Sequence, residues 1–310
     1  VSGSAVSRSR VIAAFAAVYL IWGSTYLGIR FAIETIPPFL MGGVRFMIAG
    51  AVLYLWVRLR ESERPQPIHW RNAAIIGGGL ILGGNGAVVW AEQVVPSGIT
   101  ALLVAILPLW IVLIEWLGPG HRRPSLGVAV GLIVGIIGIV VLIGPAALQP
   151  SSTGGFGILA GALVLNIGSL SWAFGSIFSR HAKLPKSALL ATAMEMLTGG
   201  ALLLVLGLIV GEHKNFDLAN VSARSLAGFA YLTAVGSLVA FTAYIWLLQH
   251  QPPSRISTYA YVNPVVAVFL GWAIAGEPLS LRTVIAAAII IAAVAVITTA
   301  RSSSPPPEPG

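Results

Sequence analysis

Trp90-Ala91-Glu92-Gln93-Val94-Val95-Pro96 is answered, 156 residues further along the chain, by Trp246-Leu247-Leu248-Gln249-His250-Gln251-Pro252. Pro108 and Pro264 repeat the same spacing. Upstream the spacing is 150: Trp22 matches Trp172, Arg30 matches Arg180, Gly50 matches Gly200 and Ala51 matches Ala201. The six-residue difference falls around Glu212 to Asn220, in a segment longer than its counterpart. The chain therefore reads as an internal duplication.

Composition decides what kind of duplication. Of the 310 residues, 57% are apolar and only 9% are charged, where an average soluble domain carries about 25% charged residues. Such a chain has too few polar groups to cover a water-facing surface. Apolar stretches of about 20 residues recur throughout, the length that crosses a hydrocarbon core about 30 Å thick. The expected fold is all-α, a polytopic membrane protein with the lipid bilayer as its constant partner. A net charge of +8 raises the question of a nucleic-acid partner. The charges lie in short loops and sort to one side, so no nucleic acid is expected. The absence of cysteine excludes disulfides, thiol catalysis and thiolate metal sites. No cofactor or metal is expected. The first span lacks a small-residue cleavage site at its outer end, so no removable signal peptide is expected.

Ten transmembrane helices are predicted, over about 11–30, 39–58, 72–91, 98–117, 125–143, 156–178, 187–210, 225–247, 256–275 and 281–299. Proline, glycine and charge mark the loops between them, as at Pro37-Pro38, Pro96-Ser97-Gly98 and Pro252-Pro253. The organisation that follows is an N-terminus over 1–10, a first five-helix repeat over 11–147, a linker over 148–155, a second five-helix repeat over 156–299 and a disordered tail over 300–310.

Orientation comes from Lys and Arg. With the N-terminus in the cytoplasm, Arg8, Arg10, Arg58, Arg60, Arg64, Arg71, Arg122, Arg123, Arg180, Lys183, Lys186, Arg255 and Arg301 fall inside, 13 of the 18 basic residues. Arg30, Lys214, Arg224 and Arg282 fall outside, and Arg45 lies within a span. Both termini are thus expected in the cytoplasm. Five spans per copy is an odd number, so the second copy enters the membrane from the opposite face. Inverted repeats of this kind bind substrate near the midplane at the seam between copies and work by rocking one against the other.

Trp22-Gly23 in the first span, a proline in the fourth and ninth spans, Asn263-Pro264, and Gly276-Glu277-Pro278-Leu279 after the ninth span together resemble the EamA family of the drug/metabolite transporter (DMT) superfamily, over roughly residues 11–299. The chain is similar to bacterial exporters of amino acids and related metabolites, the aromatic amino acid exporter among them. The resemblance implies two EamA-type repeats, location in the bacterial inner membrane and a small-molecule substrate. It departs in the first copy, where His121 stands at the position matching Glu277.

Polar groups inside spans are costly, so each has a functional and a packing reading. Pro108 and Pro264 free backbone carbonyls that line a cavity or merely kink a helix. Asn85, Asn263 and Asn166 hold a zwitterion's charged groups or bond helix to helix. Trp22, Tyr26, Trp90, Trp110, Trp172, Tyr244, Trp246, Tyr259 and Tyr261 offer faces to an apolar or aromatic substrate, or form interfacial belts. Trp22 and Trp172 lie deeper and are matched across the repeat; these two and Tyr26 are favoured for the cavity wall. Arg45 and Glu195 match at the 150 spacing. Arg45 suits a substrate carboxylate and Glu195 an amine or a proton, with structural anchoring the rival reading for both. Glu115 and Glu92, near span ends, are expected to be solvated. The candidate substrate-binding set is Trp22, Tyr26, Asn85, Pro108, Trp110, Trp172, Tyr244, Tyr259, Asn263 and Pro264, with Arg45 and Glu195 as charges in the membrane.

Gly127, Gly131 and Gly135 form a small-residue row for close helix packing. It serves the monomer expected here, or a homodimer face. The glycines at 77–79, 83, 84 and 86 have no strand before them and no P-loop lysine after them, so they are no phosphate site. They are expected to thin a helix beside a path. With no nucleotide motif, a secondary exporter of small organic metabolites, amino acids with apolar or aromatic side chains foremost, is the expected function. An exporter of drugs or amphipathic metabolites is the nearest alternative. A lipid-modifying enzyme would want clustered acids or histidines at one depth, and the five histidines all lie at loops or span ends. A channel would want a continuous polar lining.

Overall fold

The computed structural model describes residues 7–61, 63–118, 125–143, 157–214, 216–251, 253–256 and 258–302, and every regular element among them is helical. Eight helices are long and apolar enough to cross a membrane: α1 Arg8–Ala32, α2 Pro38–Arg60, α3 Pro67–Ala91, α4 Ser97–Leu117, α5 Leu126–Ile143, α6 Ile158–Ser179, α7 Ala188–Ile209 and α8 Ala223–Leu247. Two shorter apolar helices follow, α9 Tyr259–Ala275 and α10, whose apolar part is Leu281–Ile297 and whose last turn ends at Ser302. The single turn Pro253–Ile256 stands ahead of α9. The expected linker over 148–155, His121 and residues 303–310 lie outside the described residues.

Sequence sets the helix ends. Pro38 and Pro67 open α2 and α3 at a position where the missing N–H costs nothing. Gly276, at φ 67°, closes α9 in the left-handed conformation that glycine adopts without strain. Leu20, Leu55, Ile133, Ile167, Val205 and Phe269 are exposed on the bundle's flanks, the expected outward face of a chain bathed in hydrocarbon.

The two matched prolines act differently. Pro108 was expected inside a span, but α4 is interrupted at Ala105 and Ile106, and the proline falls in the first turn of the segment Leu107–Leu117. Proline is well tolerated there because its N–H would be unpaired in any case. Pro264 lies inside the continuous helix of α9. Two further irregularities are matched between the copies. Gly78–Asn85 in α3 and Leu232–Val239 in α8 are wound as π-helix, a wider turn that frequently marks functional sites.

Helix neighbours keep the same pattern when α1–α5 are exchanged with α6–α10. α2 packs on α7 and α5 on α10; α1 meets α8 and α9 as α6 meets α3 and α4; α3 meets α7 as α8 meets α2. Both self-matched pairs run antiparallel. Gly43 backs onto Leu204 and Gly50 onto Ala193 to Leu197, while Gly200 backs onto Gly43 to Met47. Gly131 faces Ile297 and Gly138 faces Ile290, so the Gly127–Gly135 row is used inside the monomer. The loops joining α2 to α3 and α6 to α7 lie at the end carrying the start of α1, here termed the basic end. The opposite is the far end.

The α2–α7 crossing has no spare room. A Cβ on Gly43 would stand 2.7 Å from the Leu204 backbone nitrogen, and one on Gly200 would stand 2.9 Å from that of Met47. Gly43→Leu and Gly200→Leu should each lower the thermal midpoint measured by fluorescence-detected size exclusion, with overpacking costing about 1–3 kcal/mol or more. Gly157→Ala, where nothing lies within 4 Å of the added Cβ, should leave the midpoint unchanged.

Candidate functional site

Trp22, Tyr244 and Tyr259, proposed from sequence, come together. Trp22 stands 5.0 Å from Tyr244 and 5.3 Å from Tyr259, with Tyr244 and Tyr259 5.9 Å apart. Phe241, which the sequence reading missed, adds a fourth ring 5.2 Å from Trp22. These edge and tilted contacts suit aromatic quadrupoles. Trp22, Tyr244 and Tyr259 belong to a cluster with Val18, Leu247 and Ile256, and Tyr19 bonds Thr258 beside it. In this conformation the rings fill the space between α1, α8 and the start of α9. They form a plug towards the basic end.

Asn263 and Pro264 lie one turn further into α9, both buried. The Asn263 carbonyl faces Gly23 of α1, where a Cβ would come within 3.1 Å. Its side-chain Oδ1 is buried without a partner. Tyr26 is partly buried, packed against the far-end core.

Other candidates stand apart. Trp172 rests against Gly84 in the π segment of α3, and Ser171 donates to the Gly79 carbonyl at 3.1 Å. Gly79, Gly83 and Gly84 thus make room for α6, rather than thinning α3 beside an open path. Asn85 donates to the Leu80 carbonyl at 3.4 Å, using its amide on its own helix, and Asn166 does the same with Ala162 at 2.8 Å. Trp110 packs with Pro108's neighbours Ile106 and Leu109 and with Val128 and Ile297, away from the four-ring group.

Arg45 is 4% exposed. Its Nε donates to Ser237 Oγ at 2.9 Å in the π segment of α8, and its guanidinium lies 4.7 Å from the Phe46 ring centroid. A Cβ on Gly236 would stand 3.4 Å from Nη2. Neither Arg45 nor Glu195 belongs to an ion pair among the described residues. The antiparallel α2–α7 crossing explains why the matched charges miss each other. Gly50 meets Ala193 to Leu197, so Glu195 lies opposite the stretch beyond Arg45, about 10 Å along the axis at 1.5 Å per residue.

Carboxylates at helix N-termini form a second layer that the sequence reading did not foresee. Glu63 accepts from the Lys186 and Ser187 N–H groups at 2.9 and 3.1 Å, capping α7. Glu212, its counterpart, accepts from Phe39 and Leu40 at 3.1 and 2.8 Å, capping α2. Glu277 accepts from Ser97 and Gly98 at 2.7 and 3.0 Å, capping α4. Each carboxylate answers unpaired N–H groups and the positive end of a helix dipole. The Lys186 and Ser187 amides hold the Glu63 carboxyl below its ordinary range. Its stabilisation is complete at neutral pH and is lost as pH falls through that lowered value. A search for Glu three to nine residues outside each span would have found the reciprocal pair.

Space is distributed unevenly along the bundle. At the far end one buried cluster joins eight helices, with Ile29, Met41, Val89, Leu103, Leu142, Leu165, Leu232 and Ile290 among its members. Towards the basic end the packing separates into a cluster of α2, α3 and α7, one of α4, α5 and α10, and the aromatic one. A shallow groove, open along its length, runs down one face of α8 there, lined by Leu238, Val239, Thr242, Ala243 and Trp246.

The model of the EamA-like transporter family matches residues 9–144 and 159–299. The chain belongs to this family. Its relatives include the inner membrane transporter YedA of Escherichia coli K12, 40% identical over 269 residues that span 85% of this chain and 82% of YedA. The transporter YoaV of Bacillus subtilis is 25% identical, across 89% of this chain and 92% of its own. Protein PecM of Dickeya dadantii is 26% identical, across 84% and 82%. A solved crystal structure shares the fold, with a TM-score of 0.62 at 22% identity, over 94% of this chain and 98% of the other. The apolar helices and this kinship make the chain a multi-pass protein of the inner membrane.

Removing the Glu277 or Glu212 carboxylate leaves partly buried helix N–H groups unanswered, at about 0.5–2 kcal/mol. Glu277→Ala and Glu212→Ala should each lower the thermal midpoint in detergent. Because Glu63 and Glu212 clamp opposite ends of one α2–α7 pair, the double variant should lose about the sum of the single losses, read from the same melts.

Proposed function

We propose that this protein is a secondary transporter that exports small organic metabolites, amino acids with apolar or aromatic side chains foremost, by alternating access. The observation that carries the reading is the uneven packing of the bundle: one continuous core seals the far end, while the basic end packs as separate clusters. A carrier caught open to one side has this form.

The two copies are taken as inverted repeats of five spans each, with both termini in the cytoplasm. The antiparallel α2–α7 and α5–α10 pairs support that arrangement. So does the preserved neighbour pattern. With the basic end in the cytoplasm, the conformation described faces inward, and rocking about the glycine crossing would open the far end. The four-ring plug of Trp22, Phe241, Tyr244 and Tyr259 is then a gate beside the groove, whose aromatic faces greet an apolar or aromatic side chain.

Arg45 is the candidate anchor for the substrate's carboxylate. A buried guanidinium with Ser237 as its hydrogen-bond partner is an uncompensated charge in the membrane. A carboxylate arriving from the groove would compensate it with paired N–H donors. Asn263, with its unpartnered Oδ1, offers an acceptor for an ammonium group. Trp172 is retained as a substrate-side residue through its contact with the α3 π segment.

A second reading has its own support. Of the residues lining the groove, Thr242 alone is polar, which suits an amphipathic drug-like metabolite as well as an amino acid.

Counterflow of labelled phenylalanine and threonine in proteoliposomes tests the first reading, with a panel of lipophilic cations testing the second. Exchange of phenylalanine is expected. Arg45→Met should reduce it about tenfold or more, the loss of a charge-assisted bond worth about 1.5–3 kcal/mol. Trp22→Ala and Trp172→Ala should reduce exchange more than they reduce recovery of folded protein. If no amino acid exchanges in any condition, the substrate assignment fails.

A further inference from the structure

Glu92 stands just beyond α3 at the far end, where a charged side chain should reach water. It is 0% exposed, and both of its carboxylate oxygens are buried without a hydrogen-bond partner among the described residues. The expectation that it is solvated is therefore corrected. The Val94–Val95 turn folds back onto Gly161 of α6, and the far-end core closes over the carboxyl. Ser97 and Thr100 are also 0% exposed, and their hydroxyl oxygens are likewise without partners. Ser97 Oγ and the Glu277 carboxylate converge on Gly271, where a Cβ would meet them at 3.2 Å and closer still. Next to them lies a void of about 10 Å³ lined by Pro96, Gly98, Glu277 and Thr283, space for about one water.

Hydrogen bonding sets Glu92 apart from the capping carboxylates. Glu63, Glu212 and Glu277 each accept two backbone N–H groups, whereas neither Glu92 oxygen accepts one among the described residues. The counterpart of Glu92 is Leu248. The titratable and charged groups around Glu92 are Tyr26 and Arg30 on α1 and Glu277 after α9. Arg30 bonds the Glu92 backbone carbonyl at 3.1 Å and forms no ion pair with the carboxylate among the described residues. The core residues at this end from α3, the turn after it and α6, namely Val88, Val89, Val95, Ala162 and Leu165, are apolar. An ionised carboxylate in such a place is several kcal/mol too costly to persist, so the group must carry a proton or move into water.

We propose that Glu92 is a proton-binding site, protonated while the far end is sealed and ionised when it opens, so that closing the far end takes up one proton. The proton joins a carboxylate oxygen from water at the opening far end, and leaves by the same route on reopening. Burial first, then the neighbouring Glu277, with Arg30 opposing, pushes the sealed Glu92 carboxyl well above the ordinary carboxylate range. The closed form therefore binds more protons than the open one, and rising pH favours opening. The inference rests on the alternating-access reading and is independent of the substrate.

The chain has no cysteine, so a single introduced thiol is a clean reporter. Ala162→Cys places it in the sealed far-end core, at 1% exposure. Ala219→Cys, on an exposed far-end loop, corrects for thiol ionisation. The measurement is the rate of labelling by a hydrophilic maleimide in nanodiscs, open to both faces, from about pH 5 to about pH 9. The ratio of the Ala162→Cys rate to the Ala219→Cys rate should rise with pH, by up to about tenfold per pH unit for one proton. Glu92→Gln should hold it low and flat, and Glu92→Asp should keep the rise. A ratio that is flat in the Glu92-intact chain sinks the inference without any Glu92 variant. So does a rise that persists in Glu92→Gln. Labelling that is flat but fast leaves alternating access standing, whereas no labelling at any pH removes both.

Discussion

The structure depends on the close approach of two matched helices. α2 and α7 cross antiparallel with backbone almost touching backbone, which Gly43, Gly50 and Gly200 permit at the crossing, with Gly42 and Gly207 beside them. In lipid there is no hydrophobic drive to bring helices together, so contact distance decides the strength of association. The crossing also fixes register. It sends the end of each helix past the start of the other, where Glu63 and Glu212 cap the partner in turn. These glycine contacts and two carboxylates thus make a clasp that neither copy can form alone.

Around that clasp the copies diverge, and the divergence carries chemical content. Arg45 lies against the π segment of α8, while its counterpart Glu195 occupies the other side of the crossing, too far along the axis to pair. Glu277 caps α4, and its counterpart position holds His121. Glu92 is sealed in the far-end core where the second copy has Leu248. Glu277 still serves the frame; Glu92 caps no helix among the described residues, and in a membrane an unneeded charge is expensive. The far end is also where the continuous core must part if the bundle is to rock. Glu92 lies in that core, on the seam where two such states would differ most.

The sequence alone determined that the chain is helical, lives in a membrane and repeats itself, because apolar length, charge scarcity and spaced matches are local properties of the string. It also supplied Trp22, Tyr244 and Tyr259, which do meet, and Arg45, which is buried as its position within a span required. Tertiary structure decided the rest. Whether Pro108 breaks a helix or begins one depends on where the backbone of α4 is interrupted. Whether the α3 glycines border a path or a neighbour depends on α6 lying against them. Glu92 looked like an acid at a water-facing span end, and only the folding of the Val94–Val95 turn onto α6 buried it. A residue's place along the chain sets its depth in the bilayer, but its surroundings at that depth come from helices far away in sequence, and only packing brings them there.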